Sequence, residues 1–392
     1  MVTSVTASLE EQMADALAQL KKLGRSRQLP SCSGPDKAAP SVEGKQVVSF
    51  CSNDYLGLSS HPSLIAAAAS AAAQSGIGAG ASRLVSGDYP EHRDLERAIA
   101  RFLGAQAVLL YPTGYQTNLG VLTALAGPGD LVLSDHFNHA SIIDACRLSG
   151  ARPAFYRHLD LPSAEKRLKN LGPRARRRIL VTESMFGMDG HFAPLPALAD
   201  LAKRYDAALV VDEAHALGVY GPSGRGLCSE HQVVPDVLIG TLGKAFGAAG
   251  GFAAGSSLLR DYLVNSSRTF IYTTSIPPPV AAAAHAALTI IAGPEGQDLR
   301  ATLARNAKHL VQHLPFRHRP DNPSAILPVI FGPDAAALKA SQHLFSQGIF
   351  VQAIRPPTIP EGTSRLRITL SSSHNPSDIQ ALLDALTPIL PQ

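Results

Sequence analysis

The chain has 392 residues, enough for one large domain and a smaller one. Hydrophobic residues make up 45% and charged residues 17%, an ordinary globular mix that excludes a disordered or fibrous chain. The net charge of +4 comes without a dense basic block, so nothing argues for nucleic acid, and no apolar run is long enough to cross a bilayer.

Residues 5–23 are predicted to form a helix, with Met13, Leu17 and Leu20 on its apolar face. This stretch carries acids and lacks the basic start and apolar core of a secretory leader. The four cysteines, Cys32, Cys51, Cys146 and Cys228, match no metal spacing and no disulfide framework. Together these features predict a soluble protein of a reducing cytoplasm. A Pro/Ser/Gly-rich link, "LPSCSGPDKAAPSVEG", completes an N-terminal arm over residues 1–45. Short apolar runs then alternate with helical patterns. "AVLLY", "DLVLS", "RPAFY", "RILVTE", "ALVVDE" and "DVLIG" are predicted strands, with "HASIIDACRLS" and "PLPALADLAKRY" as helices between them. The most basic run, "PRARRRIL", precedes one of these strands and is expected to be a solvated helix end or loop. The alternation predicts an α/β fold with a mostly parallel, doubly wound sheet, whose ligand sits at the carboxyl ends of the strands. Near Pro277 the pattern changes. An alanine-rich helix over 278–292 and a second over 296–313 lead into a smaller αβ region, giving domains of 46–277 and 278–392.

One lysine stands out. Lys244 lies in "VLIGTLGKAFGAAGG", a run otherwise of small or apolar residues and one threonine. It is not a phosphate-loop lysine, because Leu238 occupies the position of the first glycine and Ala245 that of the hydroxyl residue. Nor does "GIGAGASRLVSG" follow a clear strand with dinucleotide-loop spacing. Asp212 ends the β-branched run "ALVVD", and Lys244 follows the next strand. An acid and a lysine at neighbouring strand ends can flank a heteroaromatic ring. Pyridoxal 5′-phosphate (PLP) needs this pair, a lysine for the Schiff base and an acid to keep the pyridine nitrogen protonated. The alternative is a buried ion pair, which is seldom preferred for stability alone. "YPTGYQTN" places the Gly114 and Tyr115 amides at a helix start, either an anion site or a plain turn. Thr241 can add a hydroxyl, and His139 either stacks on a ring or caps a helix.

These segments, with "SFCSNDYLGL", "FNHASIID", "TESMFGMDG", "VVDEAHALGVYGPSGRG", "IYTTSIPP" and "RPPTIPEGTSRLRITLSSSH", occur in order over residues 46–374 and closely resemble the α-oxoamine synthases. The resemblance implies the fold-type-I architecture of PLP-dependent transferases, with a smaller C-terminal αβ domain. It implies Lys244 as the Schiff-base residue, Asp212 as the pyridinium partner, His215 on the phenolic oxygen and His139 over the ring. Gly114, Tyr115 and Thr241 would hold the phosphate, joined by Thr273 and Thr274 from the second subunit of a homodimer. Arg367 would clamp the amino-acid carboxylate, Asn53 and Ser82 would line the pocket, and Arg355 and Thr358 would lie near the acyl substrate. An N-terminal arginine also approaches substrate in this family, and Arg25 is assigned that place. Gly187 stands where the family usually has serine, which implies one hydrogen bond fewer at the phenolic oxygen. The form of "AIRPPTIPEGTSRLRITL" is most similar to members that condense L-alanine with a pimeloyl thioester, carried on coenzyme A or on acyl carrier protein, in biotin synthesis. The alternatives are a relative using glycine with an acetyl or succinyl thioester, and an inert regulatory subunit. No metal is expected.

Overall fold

The computed structural model describes residues 8–314 and 323–391. Seven strands form the central sheet: β1 (Ala107–Tyr111), β2 (Leu131–Asp135), β3 (Arg152–Tyr156), β4 (Arg178–Glu183), β5 (Ala208–Asp212), β6 (Val237–Thr241) and β7 (Gly251–Gly255). Their order is β1-β7-β6-β5-β4-β2-β3. From β6 to β3 every pair is parallel, while β7 runs antiparallel to both β1 and β6. The six strands expected from sequence all form within a residue of their predicted bounds. The seventh, "GFAAG", was not expected, since it has no β-branched residue.

Alternation along each strand sorts side chains to two faces. Leu109, Val132, Ile179, Val181, Val210 and Ile239 share one core with the helices Gly114–Leu125 and Ala140–Leu148. Leu110, Leu133, Leu180, Leu209 and Val211 join the other, under the helices Pro90–Leu103 and Leu195–Arg204. Because both faces are covered, the strands read as nearly continuous apolar runs.

The alanine-rich helix Pro278–Ala292 buries Ala281, Ala284 and Ala287 and packs on Pro62–Ser75, which is also alanine-rich. Small side chains let the two helices approach closely. The helix Pro294–His313 then leads to a three-stranded antiparallel sheet of β8 (Ile326–Gly332), β9 (Ala353–Ile354) and β10 (Ser364–Thr369), in the order β8-β10-β9. This region is tied to the start of the large one. Val48–Ser49 pairs in parallel with Ile349–Phe350. The Thr369 amide donates to the Phe50 carbonyl at 2.8 Å, and that of Ser372 to the Tyr55 carbonyl at 2.8 Å. The N-terminal helix spans Leu9–Lys22, opened by a capping box at Ser8, and buries no residue. Residues 5–7 of the predicted helix lie outside the described residues. The basic run gives a short turn and the start of β4, with Arg176 paired to Asp130 at 2.9 Å. All four cysteines are free, and no helix among the described residues is long and apolar enough to cross a membrane.

Candidate active site

The carboxyl edge of the sheet gathers the chemistry, as the topology requires. Parallel register sets Glu183, the last residue of β4, beside Asp212, the last of β5. β6 ends at Thr241, and the turn after it delivers Lys244. β1 leads through Thr113 into the helix Gly114–Leu125, and β2 leads to His139, which caps Ala140–Leu148. These elements enclose a cavity of about 160 Å³ lined by Gly114, Tyr115, His139, Asp212, His215, Thr241 and Lys244.

Asp212 is buried, and both its oxygens are held. Oδ1 accepts from the Ala214 amide and Oδ2 from Asn118 Nδ2, each at 2.8 Å. Asn118 Nδ2 also reaches Ser141 Oγ at 3.0 Å, while Asn118 Oδ1 is buried without a partner. Lys244 Nζ lies 2.8 Å from His215 Nε2. Burial brings the Lys244 amine down to about 8, against the opposing pull of the Asp212 and Glu183 carboxylates. His215 Nδ1 meets the Tyr55 hydroxyl at 2.7 Å, and burial, then the charge on Lys244, holds this imidazole well below its ordinary value. Glu183 accepts the His139 amide at 2.6 Å, and burial, with the Asp212 charge, pushes its carboxyl up to about 8. Burial also lowers His139, whose Nδ1 is 2.8 Å from Ser141 Oγ. This residue is both a helix cap and a wall of the cavity.

The phosphate end is built from backbone. Thr113 Oγ1 accepts the Gln116 amide at 3.1 Å and Thr113 O accepts that of Thr117 at 3.0 Å, leaving Gly114 and Tyr115 at the open mouth of the helix. A Cβ on Gly251 would lie 2.7 Å from the Gly114 nitrogen, so glycine is what lets β7 close against this mouth. Thr241 Oγ1 donates to Gly250 O at 3.0 Å and accepts the Gly243 amide at 3.2 Å.

Arg367, on β10, crosses from the smaller sheet. Its Nε donates to Gly187 O at 2.5 Å, Nη1 to Thr369 Oγ1 at 2.8 Å and Nη2 to Asn53 Oδ1 at 3.1 Å. Gly187 lies under His215, and a Cβ there would fall 2.3 Å from His215 Nε2. Arg367, Asn53 and the remaining candidates do not line this cavity of their own chain. Thr274 is exposed, and Thr273 lines a separate small recess with Arg83 and Tyr111. Ser82 holds its loop by accepting the Val85 and Gly87 amides. Arg25 is ion-paired to Asp334 at 2.7 Å and Glu361 at 2.5 Å. Arg355 donates to the carbonyls of Gly24 and Ser26, and Thr358 follows it on an exposed turn. Three residues of the site escaped the sequence reading. Glu183 carried the same strand-end signal as Asp212, and Asn118 lies one turn beyond Gly114 in a quoted motif. Tyr55 lies in the segment "SFCSNDYLGL", but nothing there marks it, because its partner is 160 residues away.

Residues 45–386 match the aminotransferase class I and II family, and the chain belongs to it. The chain is 44% identical over 386 residues to the 8-amino-7-oxononanoate synthase of Herminiimonas arsenicoxydans, covering 96% of this chain and 99% of that one. Among solved structures it is similar to a serine palmitoyltransferase from S. paucimobilis with bound PLP–myriocin aldimine, at 30% identity, 98% coverage of each chain and a TM-score of 0.91. It is also similar to the 8-amino-7-oxononanoate synthase from Francisella tularensis, at 26% identity, 87% coverage of this chain, 97% of that chain and a TM-score of 0.74. Within the α-oxoamine synthases, the higher sequence identity places the chain among the 8-amino-7-oxononanoate synthases. PLP is the cofactor of this fold family, and the donor set fits it. A buried carboxylate, a lysine held near neutrality, an open helix mouth and a buried acceptor without a partner converge on one small cavity.

Proposed function

We propose that this chain condenses L-alanine with a pimeloyl thioester, losing the alanine carboxylate as CO2 and releasing the thiol carrier. The observation that carries this reading is the convergence of Lys244 and Asp212 on one cavity, with Arg367 bonded to Gly187 beneath His215, in a chain 44% identical to a named synthase. When bound, PLP supplies an electron sink for charge developing on the amino-acid Cα. Lys244 Nζ is the attachment point, and its partly neutral amine is the base that takes up the Cα proton. Asp212, anchored by Asn118 and the Ala214 amide, presents a fixed negative charge to the ring nitrogen. The Gly114 and Tyr115 amides and Thr241 hold the phosphate, and His139 covers the ring. Arg367 orients the substrate carboxylate, its planar guanidinium giving paired charge-assisted bonds. Asn53 and Ser82 complete the pocket, and Arg355 and Thr358 receive the acyl chain on the loop that Arg25 braces through Glu361.

The active unit is a homodimer in which Thr273 and Thr274 reach the partner's phosphate site. Their absence from the cavity of their own chain, and the exposure of Tyr272 beside them, support this reading. Coenzyme A or acyl carrier protein carries the pimeloyl group. The deciding experiment offers alanine, glycine and serine against pimeloyl, acetyl and succinyl thioesters and identifies products by mass spectrometry. Preference for alanine with the pimeloyl thioester is expected. Preference for glycine with a short acyl group would overturn the assignment.

A further inference from the structure

Tyr55 is fully buried, and its hydroxyl lies between two polar side chains. His215 Nδ1 lies at 2.7 Å and Asn53 Oδ1 at 3.4 Å, and Asn53 Oδ1 also accepts from Arg367 Nη2 at 3.1 Å. Asn53 Oδ1 is thus the farther acceptor and is already served by a guanidinium, which can only donate. The O–H then goes to the nearer acceptor, His215 Nδ1. A neutral imidazole that accepts at Nδ1 carries its proton at Nε2. That nitrogen faces Lys244 Nζ at 2.8 Å. An N–H there is satisfied by the lone pair of a neutral amine and opposed by an ammonium.

The surroundings agree with this direction. Burial pushes the Tyr55 hydroxyl up to about 12, so it stays a donor, and keeps His215 uncharged. The other charged groups on the lysine are Asp212 and Glu183, which favour the ammonium, and Arg367, which disfavours it. The ring occupies room that only glycine leaves, 2.3 Å from where a Gly187 Cβ would be.

We propose that Tyr55 is a positioning residue: it fixes His215 as the Nε2–H tautomer, which, seated in the space beside Gly187, favours the neutral form of the Lys244 amine that attachment needs. Loss of the Tyr55 O–H frees His215 to carry its proton at Nδ1 and to offer a bare Nε2 that stabilises the ammonium.

The proposal rests on Lys244 being the attachment point, and its test needs neither cofactor nor turnover. Full-length apo protein is trace-labelled with acetic anhydride across pH 6–10, and Lys244 acetylation is followed by mass spectrometry. In Tyr55→Phe the Lys244 midpoint is expected to rise by about one unit, making acetylation below the midpoint about tenfold slower. Gly187→Ala, which pushes the ring aside, should shift the midpoint in the same direction. The double variant should shift it no further than the larger single change, because both act through one contact. Far-UV circular dichroism and the melting transition confirm folding. A folded Tyr55→Phe protein with the wild-type Lys244 midpoint overturns the proposal. If Tyr55→Phe does not fold, an unchanged midpoint in Gly187→Ala overturns it equally. Failure of borohydride to fix cofactor on Lys244 would instead remove the attachment reading, so the two failures are distinguishable.

Discussion

Replacing Arg367 by alanine tests the amino-acid site most directly. The side chain is 8% exposed and donates to Gly187 O, Thr369 Oγ1 and Asn53 Oδ1, so its orientation is fixed before substrate arrives. A carboxylate bound in this buried setting gains charge-assisted bonds from a pre-set donor. Removing one partner of such a desolvated pair costs about 2–5 kcal/mol. At about 1.4 kcal/mol per tenfold, kcat/KM for L-alanine should fall by roughly 30-fold to a few thousandfold. The assay varies alanine at saturating pimeloyl thioester. Absorbance of the bound cofactor, measured alongside, should be retained, since Lys244, Asp212 and the Gly114–Tyr115 mouth are untouched. Arg367→Lys, which keeps the charge but loses the planar fork, should recover only part of the loss. Wild-type alanine kinetics in a folded, cofactor-loaded Arg367→Ala protein would refute the reasoning.

Borohydride reduction of the loaded enzyme followed by peptide mapping should label Lys244, and a label on another lysine would remove it from its place in the mechanism. Because burial holds the Lys244 amine at about 8, the neutral fraction grows with pH, so cofactor loading onto apo protein should quicken about tenfold per unit below pH 8 and level off above it. A loading rate flat between pH 6.5 and 9 would contradict that sign. Mixing Lys244→Ala chains with Thr274→Ala chains should restore activity in hybrid dimers, whereas full activity in a strictly monomeric preparation would refute shared sites.

Much of the fold was legible because buried parallel strands are apolar along their whole length and helices between them keep a 3.6-residue period. β7 was not, since its glycines and alanines carry no strand propensity and its place is set by close approach to the Gly114 helix. Lys244 and Asp212 were readable as charges at the ends of apolar runs. Asn118, Glu183 and Tyr55 were not singled out, because their importance lies in what they touch: an aspartate 94 residues on, a histidine amide and a buried imidazole. The short pairing of Val48–Ser49 with Ile349–Phe350 joins segments 301 residues apart, a distance no local pattern can report.

That long-range pairing has a mechanical consequence. Asn53 and Tyr55 belong by sequence to the first part of the chain, yet backbone bonds from Gly348, Phe350, Thr369 and Ser372 fasten residues 48–55 to the C-terminal layer, where Arg367 resides. Lys244 and Asp212 sit on the central sheet. Asn53, Tyr55 and Arg367 therefore hang on one framework of backbone bonds, so a substitution that loosens that framework would disturb all three together. The contact of Tyr55 with His215 and the placement of Arg367 would then fail together.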